Sequence, residues 1–306
     1  HWIKENCIQC NTCSFVCPHA TIRPFLITDE ELAALPEIAH DDTIPAMGPK
    51  VKEYHFRITI STENCVGCGL CAVTCPGKKG EKALVMVDAK DEYKYEAVAD
   101  ALYPHGPYRD EFFPKNSIKG LGFVRPYHEV SGSCGGCGET PYYILASRLF
   151  GKDMLIANAT GCTSIYCGST PGTPFITDEN NEGVAWANSL FEDNAEFGFG
   201  MRVATDHKLN TIIKILKDAQ PKVEPELAEV IDRYLASIND REQCRLVIPE
   251  LVAGVKASKV EEVKEVLNYE RDLLNKSVWI IGGDGWAYDI GYGGLDHVLA
   301  SGANVN

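Results

Sequence analysis

The sequence predicts a small α+β module followed by a doubly wound α/β domain. Three observations carry this. A cysteine pattern occurs twice near the N-terminus. A stretch rich in Pro, Gly, Tyr and Phe follows it without period. After that stretch, short buried-strand patterns alternate with amphipathic-helix patterns, the grammar of an α/β fold.

The repeat comes first. Glu5-Asn6-Cys7 opens C-x-x-C-x-x-C-x-x-x-C-P, and Glu63-Asn64-Cys65 opens the same pattern 58 positions later. A polar insertion from about Thr28 to Lys52 separates the copies. Phe56, Ile58 and Ile60 alternate as a strand entering the second copy, and Ala83 to Val87 reads as a strand leaving it. Residues 1–100 are therefore one module and 101–126 a linker. In the following domain, 127–306, Met154 to Ala157 and Val278 to Ile281 read as buried strands. Val184 to about Lys217 reads as mostly helical, broken near Gly198 and Gly200. Val223, Leu227, Val230, Ile231, Tyr234, Leu235 and Ile238 mark one amphipathic helix, and Val260, Val263, Val266 and Leu267 another.

Each cysteine quartet has the form of a bacterial ferredoxin motif. Three thiolates at two-residue gaps wrap one [4Fe-4S] cluster, and the fourth reaches the other cluster. Cys7, Cys10, Cys13 and Cys75 are thus assigned to one cluster, and Cys65, Cys68, Cys71 and Cys17 to the other. Zinc sites favour paired C-x-x-C units with longer gaps. The module is ferredoxin-like, and one-electron transfer is its expected work.

Five cysteines remain. Cys134 and Cys137 lie in a glycine-rich loop, and Cys162 follows Thr160-Gly161. From spacing alone a third cluster, a zinc site, a redox dithiol and packing thiols all stay open. Cys167 and Cys244 are expected in the core. Gly283-Asp284-Gly285 follows a predicted strand. Such a turn lets backbone approach a diphosphate, with Asp284 offering an oxygen to Mg²⁺, but Asp between glycines is also an ordinary turn.

Composition narrows the function classes. The chain has 306 residues, 45% of them hydrophobic, and a formal net charge of −14. That charge repels phosphate backbones, so nucleic acid is not an expected partner. No apolar run of about 18 residues exists to span a membrane. The chain has thirteen cysteines, which cluster at metal-ligand spacings, and this places it in a reducing cytoplasm. The N-terminus has no starting Met and no apolar signal region, and reads like the middle of a longer protein.

Taken in order, the features resemble one family. These are the two-cluster module, Cys134-Gly-Gly-Cys-Gly-Glu-Thr140, Ala159-Thr-Gly-Cys-Thr163, Asn188 to Glu196, and Gly283-Asp-Gly-Trp-Ala-Tyr-Asp-Ile-Gly291. The chain is similar throughout to the C-terminal portion of pyruvate:ferredoxin (flavodoxin) oxidoreductase. Gly-Asp-Gly followed at about twenty residues by Asn, here Asn304 or Asn306, has the shape of the thiamine diphosphate signature. The resemblance implies a doubly wound α/β thiamine diphosphate-binding domain, incomplete at its C-terminus. It implies that Cys134, Cys137 and Cys162 ligate a third cluster whose fourth ligand lies beyond Asn306. It implies that Glu139, Cys162, Gly283, Asp284, Gly285 and Trp286 contact the cofactor, with Asp284 on Mg²⁺. The implied reaction turns pyruvate and coenzyme A into acetyl-coenzyme A and carbon dioxide, with electrons passing to ferredoxin or flavodoxin. A homodimer is implied, and the 306 residues alone are expected to be inactive. A pure electron-transfer module, or an enzyme for another 2-oxo acid, are the competing readings. Lys78, Lys79 and Lys82 form a local basic patch that is either an acceptor-docking surface or a solvated turn.

Overall fold

A computed structural model describes residues 1–168 and 172–306 and resolves the chain into two compact units. One comprises His1–Lys152 with Ser164–Val184, and the other Asp153–Thr163 with Ala185–Asn306.

The first unit is built on an antiparallel sheet of β1 (Ile22–Ile27), β2 (Ile44–Pro45) and β3 (His55–Ile60), ordered β1-β3-β2. Strand β1 pairs with β3 from Ile22↔Ile60 to Ile27↔His55. All six residues of β1 are buried, although side chains alternate between the faces of a strand. Both faces are therefore covered. Ile22 and Leu26 enter a core with Trp2, Phe56, Ile58, Leu84 and Phe123. Phe25 and Ile27 enter a second core with Val98, Leu102, Tyr103 and Tyr108.

This second face corrects the reading of 101–126 as a linker. The segment is aperiodic because it is a cover rather than a regular element. Its aromatics bury apolar area worth roughly 1.5–3 kcal/mol per large side chain. It also satisfies a buried cation. The Arg23 guanidinium lies 4.0 Å from the Tyr103 ring centre, donates to the Tyr108 hydroxyl at 2.8 Å and pairs with Glu129. The first unit accordingly runs on through Lys152 instead of stopping near residue 100. Ala83 to Val87 is not a full strand. It forms one bridge, Trp2↔Leu84, flanked by Ile3 N–H to Ala83 O at 2.8 Å and Val85 N–H to His1 O at 3.1 Å.

The second unit holds a parallel sheet of β4 (Met154–Asn158), β5 (Ala185–Asn188) and β6 (Ser277–Ile281), ordered β5-β4-β6. Strands β4 and β6 are the two expected from sequence. Strand β5 lies in a stretch read as helical. The helix Asn194–Ala219 then runs unbroken through Gly198 and Gly200. Gly198 is where this helix meets the sheet: a Cβ there would lie 2.4 Å from Ile280 Cγ1 and 3.2 Å from Ala157 Cβ. The amphipathic helix is Pro225–Ser237. A further helix, Arg241–Ala257, contains Pro249 and is started by the Asp240 carboxylate, which accepts from the amides of Glu242 and Gln243 at 3.1 Å. With Ile212, Leu216 and Val266 these helices form a core of their own, in which Cys244 is buried.

Candidate functional site

The first quartet assembles from both copies of the repeat. Cys7, Cys10, Cys13 and Cys75 line one cavity, with Trp2, Ile58 and Leu84 among its walls. Cys17, Cys65, Cys68 and Cys71 line another. In each cavity three thiols come from one motif and the fourth from the other. Among the described residues no three His, Cys, Asp or Glu side chains converge on a single ion.

Backbone geometry opens these loops. Gly67 and Gly69 have φ of +67° and +79°, the left-handed region that glycine enters without penalty. Their counterparts 58 positions earlier are Gln9 and Asn11, at φ +55° and +62°. Both are buried, and hydrogen bonds hold them there. Gln9 Nε2 donates to Pro45 O and Met47 N–H donates to Gln9 Oε1, each at 2.8 Å, while Asn11 Nδ2 donates to Lys119 O at 2.7 Å. The insertion and the 101–126 segment thus brace the first motif, where the second relies on glycine.

Amide and hydroxyl groups already point at sulfur. Gln9 N–H reaches Cys7 Sγ at 3.4 Å and Ala83 N–H reaches Cys75 Sγ at 3.3 Å. The Thr21 hydroxyl lies 3.3 Å from Cys17 Sγ. Burial pushes the Cys7 and Cys65 thiols up, Cys13 well up, and Cys71 to about 11. Neighbouring thiols add to this, Cys75 acting on Cys7 and Cys17 acting on Cys71. Thiols that burial and their neighbours hold protonated are relieved by a cationic core among them. The donor set fits an iron–sulfur cluster.

The remaining thiols divide between the units. Cys134 and Cys137 belong to the first, in a turn closed by Cys137 N–H to Cys134 O at 3.1 Å. Gly136, at φ +76°, lies against the second quartet's loop, where an added Cβ would be 3.6 Å from Cys68 Cβ. The His19 ring nitrogen Nε2 lies 3.3 Å from both Ser133 O and Ser133 Oγ, tying the turn after Cys17 to the residue before Cys134. The role of His19 has no signal in spacing. Glu139, exposed, accepts from the Tyr166 hydroxyl at 3.2 Å. Cys167 is buried, 3.7 Å from His128 Nε2.

In the second unit the predicted cofactor residues cluster at the carboxyl ends of the parallel strands. Ligands of open α/β sheets bind at that edge. Thr160, Gly161 and Cys162 follow β4, and Gly282 to Trp286 follow β6. Ala159 N–H donates to Ile281 O at 2.8 Å, so the two turns leave the sheet side by side. Gly282 is fixed by packing: an added Cβ would come within 2.6 Å of Trp286 and 2.8 Å of Ala159. Gly283 has open space around it, and Asp284 is exposed at the head of the turn Gly285–Asp289. An asparagine network braces the edge. Thr160 Oγ1 donates to Ser189 O and accepts from Asn188 Nδ2, both at 3.1 Å, and Asn194 Nδ2 donates to Ile281 O at 3.1 Å. An open glycine beside an exposed carboxylate at this edge fits a diphosphate and its cation.

Comparison with known proteins agrees with the iron–sulfur reading of the repeat. Residues 6–80 match the 4Fe-4S dicluster domain family. The whole chain is 46% identical to the pyruvate:ferredoxin oxidoreductase of Moorella thermoacetica and 44% identical to the pyruvate-flavodoxin oxidoreductase of Klebsiella pneumoniae, covering 26% of each. It is 44% identical to the mitochondrial pyruvate dehydrogenase [NADP(+)] of Euglena gracilis, covering 17% of it. With its 4Fe-4S dicluster domain, the chain is a homologue of the pyruvate:ferredoxin and pyruvate-flavodoxin oxidoreductases, over a stretch equal to about a quarter of their length.

Proposed function

We propose that this chain supplies the electron-transfer and thiamine diphosphate-binding portion of an enzyme that oxidatively decarboxylates pyruvate with coenzyme A. The carrying observation is likeness along the whole of this chain to about a quarter of the pyruvate oxidoreductases, in a chain whose eight repeat cysteines line two cavities, four to each. Cys7, Cys10, Cys13 and Cys75 hold one [4Fe-4S] cluster; Cys65, Cys68, Cys71 and Cys17 hold the other. Cys134, Cys137 and Cys162 are ligands of a third. Gly283, Gly285 and Trp286 cradle thiamine diphosphate, Asp284 takes its Mg²⁺, and Glu139 and Cys162 contact the cofactor in this doubly wound domain. When bound, thiamine diphosphate supplies an electron sink for decarboxylation, and the clusters supply one-electron steps. The protein's own part is to aim amides at sulfur, to hold the Cys134 turn on the Cys68 loop, and to brace the strand edge with Asn188 and Asn194. Ferredoxin or flavodoxin is the proposed acceptor, the intact enzyme a homodimer and the cytoplasm its location. Among the described residues no helix is long and apolar enough to cross a membrane.

The test uses the full-length protein purified without oxygen. It should reduce ferredoxin or a viologen dye only when pyruvate and coenzyme A are both present, and should contain thiamine diphosphate. Asp284→Asn should lose bound thiamine while keeping iron. A full-length protein with full iron but no thiamine and no pyruvate-dependent reduction would refute the catalytic reading, leaving an electron-transfer module.

A further inference from the structure

The two cysteine motifs are near copies, but the residue five positions before each differs. Before Cys7 it is Trp2; before Cys65 it is Ile60. Trp2 is 5% exposed and forms part of the wall of the cavity lined by Cys7, Cys10, Cys13 and Cys75. Its bridge to Leu84 and its edge-to-face contact with Phe56, ring centres 6.3 Å apart, fix the ring in place. The indole Nε1 is buried and has no hydrogen-bond partner. It lies near enough to Cys7 to favour that thiolate, though outside hydrogen-bond geometry.

An indole N–H can only donate. Left unmade in the interior, such a bond costs about 1–3 kcal/mol. The cavity that Trp2 helps to wall is lined by Cys7, Cys10, Cys13 and Cys75, with Asn11 the other polar side chain. The same short ladder that carries Trp2 also carries Ala83, whose N–H already reaches Cys75 Sγ at 3.3 Å. One donor is engaged with sulfur, and the other belongs to a ring that walls the same cavity. The second cavity has a different side-chain donor, the Thr21 hydroxyl 3.3 Å from Cys17 Sγ. A buried apolar ring with one N–H is a local device acting on one quartet.

We propose that the Trp2 indole N–H donates a hydrogen bond to a sulfur of the cluster held by Cys7, Cys10, Cys13 and Cys75, and so raises the reduction potential of that cluster alone. A reduced cluster carries one more negative charge than an oxidised one. A donor to its sulfur therefore stabilises the reduced form more. The inference rests on the reading of this quartet as a cluster site.

The experiment compares the full-length, anaerobically purified protein with Trp2→Phe, which keeps the ring and removes the N–H. Iron and sulfide content test the cluster reading. Midpoint potentials followed by electron paramagnetic resonance test the hydrogen bond, with the first quartet's signal identified by its loss in Cys75→Ala. The expected result is unchanged iron, a downward shift of the first quartet's midpoint and no shift of the second. Full iron with both midpoints unmoved, or both moved equally, would overturn the inference. If Trp2→Phe loses iron, the unaltered protein labelled with ¹⁵N-indole tryptophan decides. Hyperfine coupling of an indole nitrogen to the reduced first cluster supports the bond, and its absence overturns it. A full-length protein with no cluster signal from this quartet overturns the cluster reading and the inference with it.

Discussion

The Ala83 amide donates to Cys75 Sγ at 3.3 Å, and Cys75 lines the cavity of Cys7, Cys10 and Cys13, not that of its own motif. Cys17 is displaced reciprocally into the cavity of Cys65, Cys68 and Cys71. Single substitutions should therefore damage the cluster of the opposite motif. Cys17→Ala is expected to impair the cluster of Cys65, Cys68 and Cys71 and leave the other mostly intact. Spectroscopy showing loss confined to the Cys7, Cys10 and Cys13 cluster would refute the exchange.

Glu96 should support the second motif from outside the cluster shell. Its buried carboxylate accepts from Ser61 Oγ at 2.6 Å, from the Thr62 amide at 2.5 Å and from the Glu63 amide at 3.1 Å. These donors form the turn entering Cys65. Glu96→Ala strands them, at a cost of roughly 2–3 kcal/mol, since each unmet buried group costs about 1–3 kcal/mol and water recovers part. Anaerobic thermal denaturation should show the loss, with faster iron release from the second quartet than from the first. Unchanged stability would mean that the carboxylate is dispensable.

His128 gives the first unit an acid sensitivity. It is fully buried among Tyr143, Tyr166 and Phe175, and burial, aided by nearby His19, holds its pKa down to about 3. An unfolded histidine titrates near 6.5. The unfolded chain thus binds a proton that the folded one refuses as pH falls from about 6.5 towards about 3. The stability His128 contributes is complete above that window and is lost through it, at up to about 1.4 kcal/mol per pH unit. His128→Phe should flatten stability measured between pH 6.5 and 5 with clusters intact. An identical slope in both proteins would show that other groups carry the acid response.

How much of this was legible follows parity and period. Strands β4 and β6 are continuous apolar runs, and β3 alternates, so each announces itself. The spacing argument and the cavities group the eight repeat thiols alike. The cover over β1 was legible only through β1 itself: Ile22, Phe25, Leu26 and Ile27 are apolar on both parities, which a one-sided sheet does not need. The aromatics that meet them carry no period. Helix Arg241–Ala257 keeps helical spacing through Cys244, Ile248, Leu251 and Val255, but Pro249 interrupts the signal. Pro249 is exposed and the helix is anchored by its buried side. Strand β5 is too short, and too exposed, to stand out beside the helix that follows.

The three lysines of the basic patch after the second motif have two different structural settings. Lys82 Nζ donates to Cys75 O at 2.7 Å and Val73 O at 2.8 Å, so it staples the end of the motif. Lys78 and Lys79 sit on a tight hairpin closed by Lys78 N–H to Glu81 O at 3.1 Å. Gly77 makes that hairpin possible: at φ +60°, an added Cβ would lie 1.8 Å from Glu81 O. Two lysines are thus presented beside Cys75 on a chain of net charge −14. An acidic acceptor approaching this face meets local attraction against a repulsive background. Steering acts mainly on association rate and fades with salt, since the screening length is about 10 Å at 0.1 M. In the full-length enzyme, Lys78→Glu with Lys79→Glu should slow ferredoxin reduction about tenfold or more at low ionic strength, the lower end of steering effects. The difference should shrink as salt rises, and reduction of a small neutral dye should hardly change. Lys82→Gln should instead lower stability and iron retention at any salt concentration. An unaltered ferredoxin rate at low salt in the double variant would exclude Lys78 and Lys79 as the docking surface.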